Sequence, residues 1–173
     1  MDLLSYIEKG GIIGYILLAM LTIGLTTTIW KYFQIIRSTR NRSLFIQELI
    51  GSINQTKDKA LILNYVKSSL EEKLGDLEKG MGLIKTIATL APLLGLLGTV
   101  IGILVAFETI ASSGMGDTTT FAGGISLALV TTILGLIISI PHYVGYNFLA
   151  HKLDTLEALM NKDADTILIG KEK

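Results

Sequence analysis

Hydroxyl side chains lie deep inside two long apolar runs of this sequence, among them Thr99 in the first run, and Thr131, Thr132 and Ser139 in the second. A hydroxyl group both donates and accepts hydrogen bonds, so it can pass a proton along a chain of water, but it holds no charge near neutral pH. The runs, residues 86–107 and 121–140, contain no ionisable side chain. These residues could therefore assist proton passage only if another helix supplies the titrating group.

Other kinds of chemistry lack the residues they need. No set of nucleophile, base and acid is evident, and the glycines lie inside apolar runs instead of in a phosphate-binding turn, so we expect no catalytic residues and no enzyme. The chain has no cysteine, and its two histidines lie far from any carboxylate cluster, so we expect no metal and no cofactor. The formal net charge is zero, which gives no electrostatic reason to expect nucleic acid.

The hydroxyls belong to stripes of small residues. At about 100° per residue of helix, one face of the first run carries Gly95, Gly98, Thr99, Gly102 and Ala106. One face of the second run and of its continuation beyond residue 140 carries Gly124, Ala128, Thr131, Thr132, Gly135, Ser139 and His142. Small side chains let membrane helices approach closely, so both faces should contact protein. Two interpretations are open: the stripes pack helices together with each hydroxyl bonded to its own helix, or Thr99, Thr132 and Ser139 line an internal cavity.

Composition and charge place these runs in an all-α integral membrane protein with three transmembrane helices. Half of the residues are apolar, and the mean hydropathy is +0.56. Lys31, Arg37, Arg40 and Arg42 follow the first span, whereas only Lys9 precedes it, so the N-terminus should be outside and the C-terminus inside. We predict a periplasmic N-terminus (1–9), a first span (10–30), a cytoplasmic helical region (31–85), a second span (86–110), a periplasmic loop (111–119), a third span (120–149) and a cytoplasmic tail (150–173).

The cytoplasmic region carries one apolar helix face at spacings of three and four: Leu63, Val66, Leu70, Leu74, Leu77, Met81 and Ile84. We expect this face to pack on the chain itself, although a partner surface is an alternative. The helix should run straight into the second span, with Gly80 and Gly82 as soft points near the junction. Residues 52–59 should form a turn between two cytoplasmic helices.

We expect specific roles for several further residues in or near the spans. Pro92 removes the hydrogen bond to the Ala88 carbonyl and Pro141 removes the one to Ile137, so both should bend their helices. His142 should hydrogen-bond at the inner mouth, with proton transfer as the alternative. Glu108 is either an interfacial charge or a cation-attracting group at the outer mouth. Arg37, Arg40 and Arg42 are candidate contacts for anionic lipid at the inner face.

The sequence resembles the MotA/TolQ/ExbB proton-channel family, most closely its ExbB and TolQ members. The residues that carry the resemblance are APLLGLLGTVIG at 91–102, GISLALVTTILGL at 124–136 and IPHYVGYN at 140–147. The similarity is strong across roughly residues 83–150. MotA-type stators, with four spans and a larger cytoplasmic domain, fit poorly.

The resemblance implies a homo-oligomeric ring, typically a pentamer, in the inner membrane of a Gram-negative bacterium. The second and third spans would line its pore, which a single-span ExbD- or TolR-like partner with an essential Asp occupies. Proton flow would then drive a TonB-like protein and outer-membrane import. Thr99 and Thr132 are the implied pore-facing threonines, and we expect the pore lining to comprise Gly95, Thr99, Gly102, Leu127, Ala128, Thr131, Thr132, Gly135 and Ser139.

One position departs from the family pattern. Members commonly carry Glu directly before the alanine that matches Ala128, and this chain has Leu127 there. We therefore expect that this subunit cannot relay protons alone; a divergent member with altered coupling is the alternative. The function implied is that of an ExbB-like energy-transducing subunit, with a TolQ-like subunit of the Tol–Pal system or a non-conducting membrane scaffold as alternatives.

Overall fold

A computed structural model describes residues 7–52, 59–113 and 118–170 of the protein. Every regular element within these ranges is an α-helix: α1 Gly11–Arg40, α2 Arg42–Ser52, α3 Lys59–Glu78, α4 Met81–Ser113 and α5 Thr118–Gly170. The all-α prediction is thereby confirmed for the described part of the chain. Parts of the predicted N-terminal segment, of the turn at 52–59, of the loop at 111–119 and of the tail lie outside the described residues.

Three helices, α1, α4 and α5, are long and apolar enough to cross a membrane. This agrees with the three predicted spans in number and place along the chain. The side chains that these helices expose are largely Leu, Ile, Val and Phe, as lipid or other membrane helices require. The orientation of the spans and their assembly into a ring stay predictions.

The chain divides into two compact units, each with its own apolar core. The first unit comprises Met1–Thr27 and Leu83–Gly145. Its core is formed by side chains from α1, α4 and α5, namely Leu17, Ile87, Ala91, Val130, Leu134 and Ile138. The second unit comprises Thr28–Gly82 and Tyr146–Lys173. Its core is Ile46, Val66, Leu70, Leu77, Leu156, Met160 and Ala164.

The apolar face predicted for α3 is the face that packs in the second unit. Val66, Leu70 and Leu77 are buried, and they belong to the same core as Leu156 and Met160 of α5. Within the predicted face, Leu63 is the exception, because 37% of it is exposed. The face therefore packs on the chain itself, as expected.

The expectation that α3 runs straight into the second span is wrong. The helix ends at Glu78, and α4 begins at Met81 after a two-residue turn in which Gly80 has φ +86°. Lys31 secures this turn: its Nζ donates to the Leu77 carbonyl at 3.2 Å and to Gln34 Oε1 at 2.8 Å, and its side chain is buried. Gly80 ends the helix in the left-handed backbone conformation, which residues with a Cβ atom rarely adopt.

The turn also carries an exposed ion pair. Lys79 Nζ donates to Asp76 Oδ1 at 2.6 Å. This hydrogen bond lowers the pKa of the Asp76 carboxyl and raises the pKa of the Lys79 ammonium. Because both groups are open to solvent, the pair adds little to stability. The Gly80 conformation is thus the feature that defines the junction.

Substituting Gly80 by Ala should destabilise the protein by about 1–2 kcal/mol, because an L-residue resists positive φ. The new Cβ would also lie 3.3 Å from Lys31 Cε. Gly82→Ala is the matched control: it adds a methyl group in α4 where a Cβ meets nothing within 4 Å. This control should leave stability unchanged or raise it by up to about 1 kcal/mol. Thermal unfolding in detergent measures both variants, and equal effects would contradict the role of the turn.

Candidate functional site

In the first unit, α4 and α5 approach each other through their backbones. A Cβ on Gly102 would lie 2.6 Å from the Gly124 carbonyl oxygen, and a Cβ on Gly135 would lie 2.6 Å from the Ala91 carbonyl oxygen. Real Cβ atoms do not come so close, so only glycine permits this contact. The two small-residue stripes found in the sequence therefore face each other, as the packing of membrane helices predicts.

Thr131 fills the space that Gly98 leaves. Its side chain is fully buried, and a Cβ on Gly98 would overlap it. The Thr131 hydroxyl lies 3.0 Å from the Ala128 carbonyl of its own helix and 3.3 Å from the Gly95 carbonyl of α4. The buried Thr131 hydroxyl thus finds its hydrogen-bond acceptors within the helix pair.

Thr99 and Thr132 bring a second pair of hydroxyls together at this contact. Their Oγ1 atoms are hydrogen-bonded to each other, and either can donate. Each hydroxyl is also 3.2 Å from the Gly95 carbonyl, and Thr99 lies 3.2 Å from the Ala128 carbonyl. Unlike Thr131, both side chains are only half-buried. This pair is therefore a polar group at the margin of an otherwise apolar helix contact.

Ser139 satisfies the backbone group that Pro92 releases. Proline has no N–H, so the carbonyl four residues earlier, that of Ala88, loses its helical donor. The Ser139 hydroxyl donates to this carbonyl from α5 at a distance of 2.5 Å. In a membrane, an unsatisfied carbonyl is costly because no water replaces the missing donor. This bond explains how α4 continues through Pro92 as one helix.

His142 is buried inside the first unit. Its Nδ1 lies 2.6 Å from the Ile138 carbonyl, and its Nε2 has no hydrogen-bond partner among the described residues. The imidazole lies against Gly24 of α1, where a Cβ would overlap the ring, and that same Cβ would be 3.0 Å from Ile87. The absence of a side chain at Gly24 therefore makes room for the imidazole of His142. Hydrogen bonding at an inner mouth stays a prediction.

The predicted pore-lining residues separate into two groups by burial. Gly95, Gly102, Ala128, Thr131 and Gly135 are buried between α4 and α5 of the same chain, where they permit close helix packing. The half-buried residues are Thr99, Leu127, Thr132 and Ser139. Pore lining stays a prediction for both groups.

The remaining predicted residues lie toward the helix ends. Glu108 is exposed on α4, and its role at an outer mouth stays a prediction. In the second unit Arg37 and Arg40 are exposed, whereas Arg42 is half-buried and donates from Nε to Asp163 Oδ2 at 3.0 Å. Both α4 and α5 continue through their prolines, Pro92 and Pro141. Bending at either proline stays a prediction.

Sequence analysis missed several residues that hold this arrangement. Gly24 lies in an apolar span and received no role of its own, and Lys31 was interpreted only as a topology signal. The proline rule did identify the released Ala88 carbonyl, so a search for a hydroxyl donor on the neighbouring helix could have found Ser139. No signal in the sequence pairs Gly24 with His142, because that contact depends on how α1 packs against α5.

Ser139→Ala should lower stability by about 1 kcal/mol, the size of one hydrogen bond between membrane helices. The substitution leaves the Ala88 carbonyl without the donor that replaces the Pro92 N–H. In a Pro92→Ala background, residue 92 supplies that N–H itself, so Ser139→Ala should then cost clearly less. Unfolding of the four proteins of this cycle in detergent measures the coupling, and equal costs in both backgrounds would refute the assignment.

Comparison with known proteins gives the family of the chain. Residues 34–162 match the MotA/TolQ/ExbB proton channel family. This range includes α4 and most of α5, and so contains the Thr99–Thr132 pair.

Several relatives are named as ExbB proteins. A biopolymer transport protein ExbB of Aquifex aeolicus is 42% identical over 102 residues, which is 59% of this chain and 65% of the relative. One of Helicobacter pylori is 46% identical over 81 residues, 47% of this chain and 56% of the relative. The chain spans between half and two thirds of the length of these relatives. From the match over most of its length, the chain belongs to the MotA/TolQ/ExbB proton channel family.

Proposed function

We propose that the protein is an ExbB-like subunit of a complex in the inner membrane of a Gram-negative bacterium, driven by the proton motive force. It would work with a single-span ExbD-like partner and power TonB-dependent import across the outer membrane. The observation that carries this proposal is the hydrogen-bonded Thr99–Thr132 pair at the margin of the α4–α5 contact. Family membership and the ExbB names of the relatives support it.

The chemistry of the pair fits a shared proton path. A threonine hydroxyl can donate and accept in turn, so two adjacent hydroxyls can join a water chain without becoming charged. The apolar segments 86–107 and 121–140 contain no carboxylate, histidine or lysine that could take up a proton. The titrating group must then come from another helix, and the Asp of a single-span partner would supply it.

Assembly into a ring would place these threonines toward a lumen. Much of the outer surface of α4 and α5 is apolar, including Leu93, Leu97, Val100, Leu129 and Ile133, all exposed in the single chain. Lipid, further copies and a partner helix can each cover such surface. A pentamer is the arrangement proposed by analogy with the family.

Two alternatives make different predictions. A TolQ-like subunit of the Tol–Pal system would use the same threonines and differ in its partner. A non-conducting scaffold is favoured by Leu127, which replaces the Glu that family members commonly carry. A scaffold needs the helix packing but has no use for the Thr99 and Thr132 hydroxyls, and this difference is what the experiment tests.

Thr99→Val and Thr132→Val should each reduce energised import at least about tenfold, since a positioned proton-transferring side chain typically contributes about 10²–10⁴-fold. Valine keeps the size of the side chain and removes only the hydroxyl. Import of a TonB-dependent substrate is measured in cells that contain this protein with its single-span partner and lack other ExbB-like proteins.

Thr89→Val is the matched control, because Thr89 is an exposed threonine of the same helix whose hydroxyl donates to the Lys85 carbonyl. This variant should import normally, and Thr132→Ser should restore most of the activity. Complex assembly is followed in every variant by copurification of the partner. Normal import in both valine variants of the pair would favour the scaffold.

A further inference from the structure

A cavity of about 360 Å³ lies in the second unit, where the end of α1 and the start of α2 meet α3 and α5. Its volume is within the range of small-molecule sites. Polar or charged side chains form much of its wall, whereas Leu44, Phe45, Leu77 and Met160 form the apolar part. The polar and charged lining is Gln34, Arg37, Ser38, Asn41, Arg42, Glu48 and Lys73.

Positive charge predominates around this cavity. Arg37, Arg42 and Lys73 line it, and Glu48 is the one carboxylate among the described residues of its lining. Arg42 is oriented by Asp163, which accepts from its Nε at 3.0 Å, and by the Thr39 carbonyl at 3.3 Å. These contacts hold Arg42 in place, and its charge is balanced by that of Asp163. The positive charge available to a ligand therefore comes from Arg37 and Lys73.

Lys73 is also held in place. Its Nζ lies 5.4 Å from the centre of the Phe45 ring, a cation–π contact between α3 and α2. Both residues line the cavity. Lys73 of α3 and Arg37 of α1 therefore both line the same cavity, so two helices each contribute one cation to it.

We expect the cavity to lie close to the membrane surface. Trp30, Tyr32 and Phe33 are exposed aromatic residues on α1, of the kind found at the membrane–water interface. At 1.5 Å per residue of helix, Gln34 follows Trp30 by about 6 Å and Arg37 by about 10 Å. If these aromatic residues mark the interface, the cationic lining begins near the depth of the lipid phosphates.

We propose that this cavity binds a phosphate group, with Arg37 and Lys73 as its two cationic ligands. Gln34, Ser38 and Asn41 offer side-chain donors for the remaining phosphate oxygens. The phosphate is either the diester of a phospholipid headgroup or a soluble phosphate. The sequence suggested Arg37, Arg40 and Arg42 as contacts for anionic lipid. The proposed site includes Arg37 and Arg42 in its lining but not Arg40, which is exposed. The proposal does not depend on energy transduction.

The test uses the full chain purified in an uncharged detergent and freed of lipid. Titration calorimetry measures binding of short-chain phosphatidylglycerol, of short-chain diacylglycerol, which lacks the phosphate, and of inorganic phosphate. We expect saturable binding of the phosphate-bearing lipid and none of diacylglycerol. Competition by inorganic phosphate would assign the site to soluble phosphate, and lipid binding without such competition would assign it to a headgroup.

Charge variants separate this site from general attraction to a basic surface. Arg37→Gln and Lys73→Gln should each raise Kd about tenfold, because each removes a charge-assisted hydrogen bond. Arg40→Gln is the matched control on the same helix and should change Kd less than about twofold. Glu48→Gln should instead lower Kd about threefold, since it removes a like charge from the lining.

Three results would overturn the proposal. The first is the absence of saturable binding for both phosphate compounds. The second is an Arg40→Gln effect as large as that of Arg37→Gln, which would indicate nonspecific attraction. The third is weaker binding after Glu48→Gln. Arg37 is exposed, so its substitution does not threaten the fold, and thermal unfolding of each variant confirms that it is folded.

Discussion

The close contact between α4 and α5 is the constraint on which the rest of the first unit depends. At Gly102 and Gly135 the backbone of one helix touches a carbonyl of the other, so no side chain fits between them. Helices gain little from hydrophobic attraction in lipid, and packing at this distance supplies the association instead. The position of the Thr99–Thr132 pair follows from this contact, because the two hydroxyls meet only if the helices are this close.

The same contact solves the problem that Pro92 creates. A carbonyl without a donor is costly in a membrane, and the Ser139 hydroxyl reaches that of Ala88 only because the two helices touch. Buried hydroxyls such as that of Thr131 are thus used to satisfy the backbone. Those at the margin, Thr99 and Thr132, satisfy the Gly95 carbonyl and also reach the surface of the helix pair. The half-buried Ser139 hydroxyl also bonds to the backbone, so the role proposed for Thr99 and Thr132 rests on their mutual hydrogen bond and not on exposure alone.

Much of this fold follows from sequence periodicity and charge. The three apolar spans, the buried face of α3 and the protein-facing stripes were all predicted from spacing, because a helix fixes which residues share a face. The break at Gly80 was only partly foreseen: glycine indicated a soft point, but its positive φ and the capping by Lys31 depend on tertiary contacts.

The sequence does not indicate which neighbouring helix each helix face contacts. His142 shares a stripe with Ser139, yet its imidazole lies against Gly24 of α1, whereas Ser139 donates to a carbonyl of α4. Periodicity likewise placed Thr131 beside Thr132 without distinguishing the buried side chain from the half-buried one. The cavity lined by Arg37 and Lys73 joins residues far apart in the chain, so no local pattern could indicate it.

The central functional claim is that this chain supplies hydroxyls and packing, whereas the group that binds the proton comes from elsewhere. Proton flux into liposomes, driven by a pH difference and a membrane potential, tests this most directly. We expect that the purified chain alone gives no more flux than empty liposomes, and that adding a single-span partner with an Asp in its apolar segment raises the flux. Robust proton flux through the chain alone would contradict it.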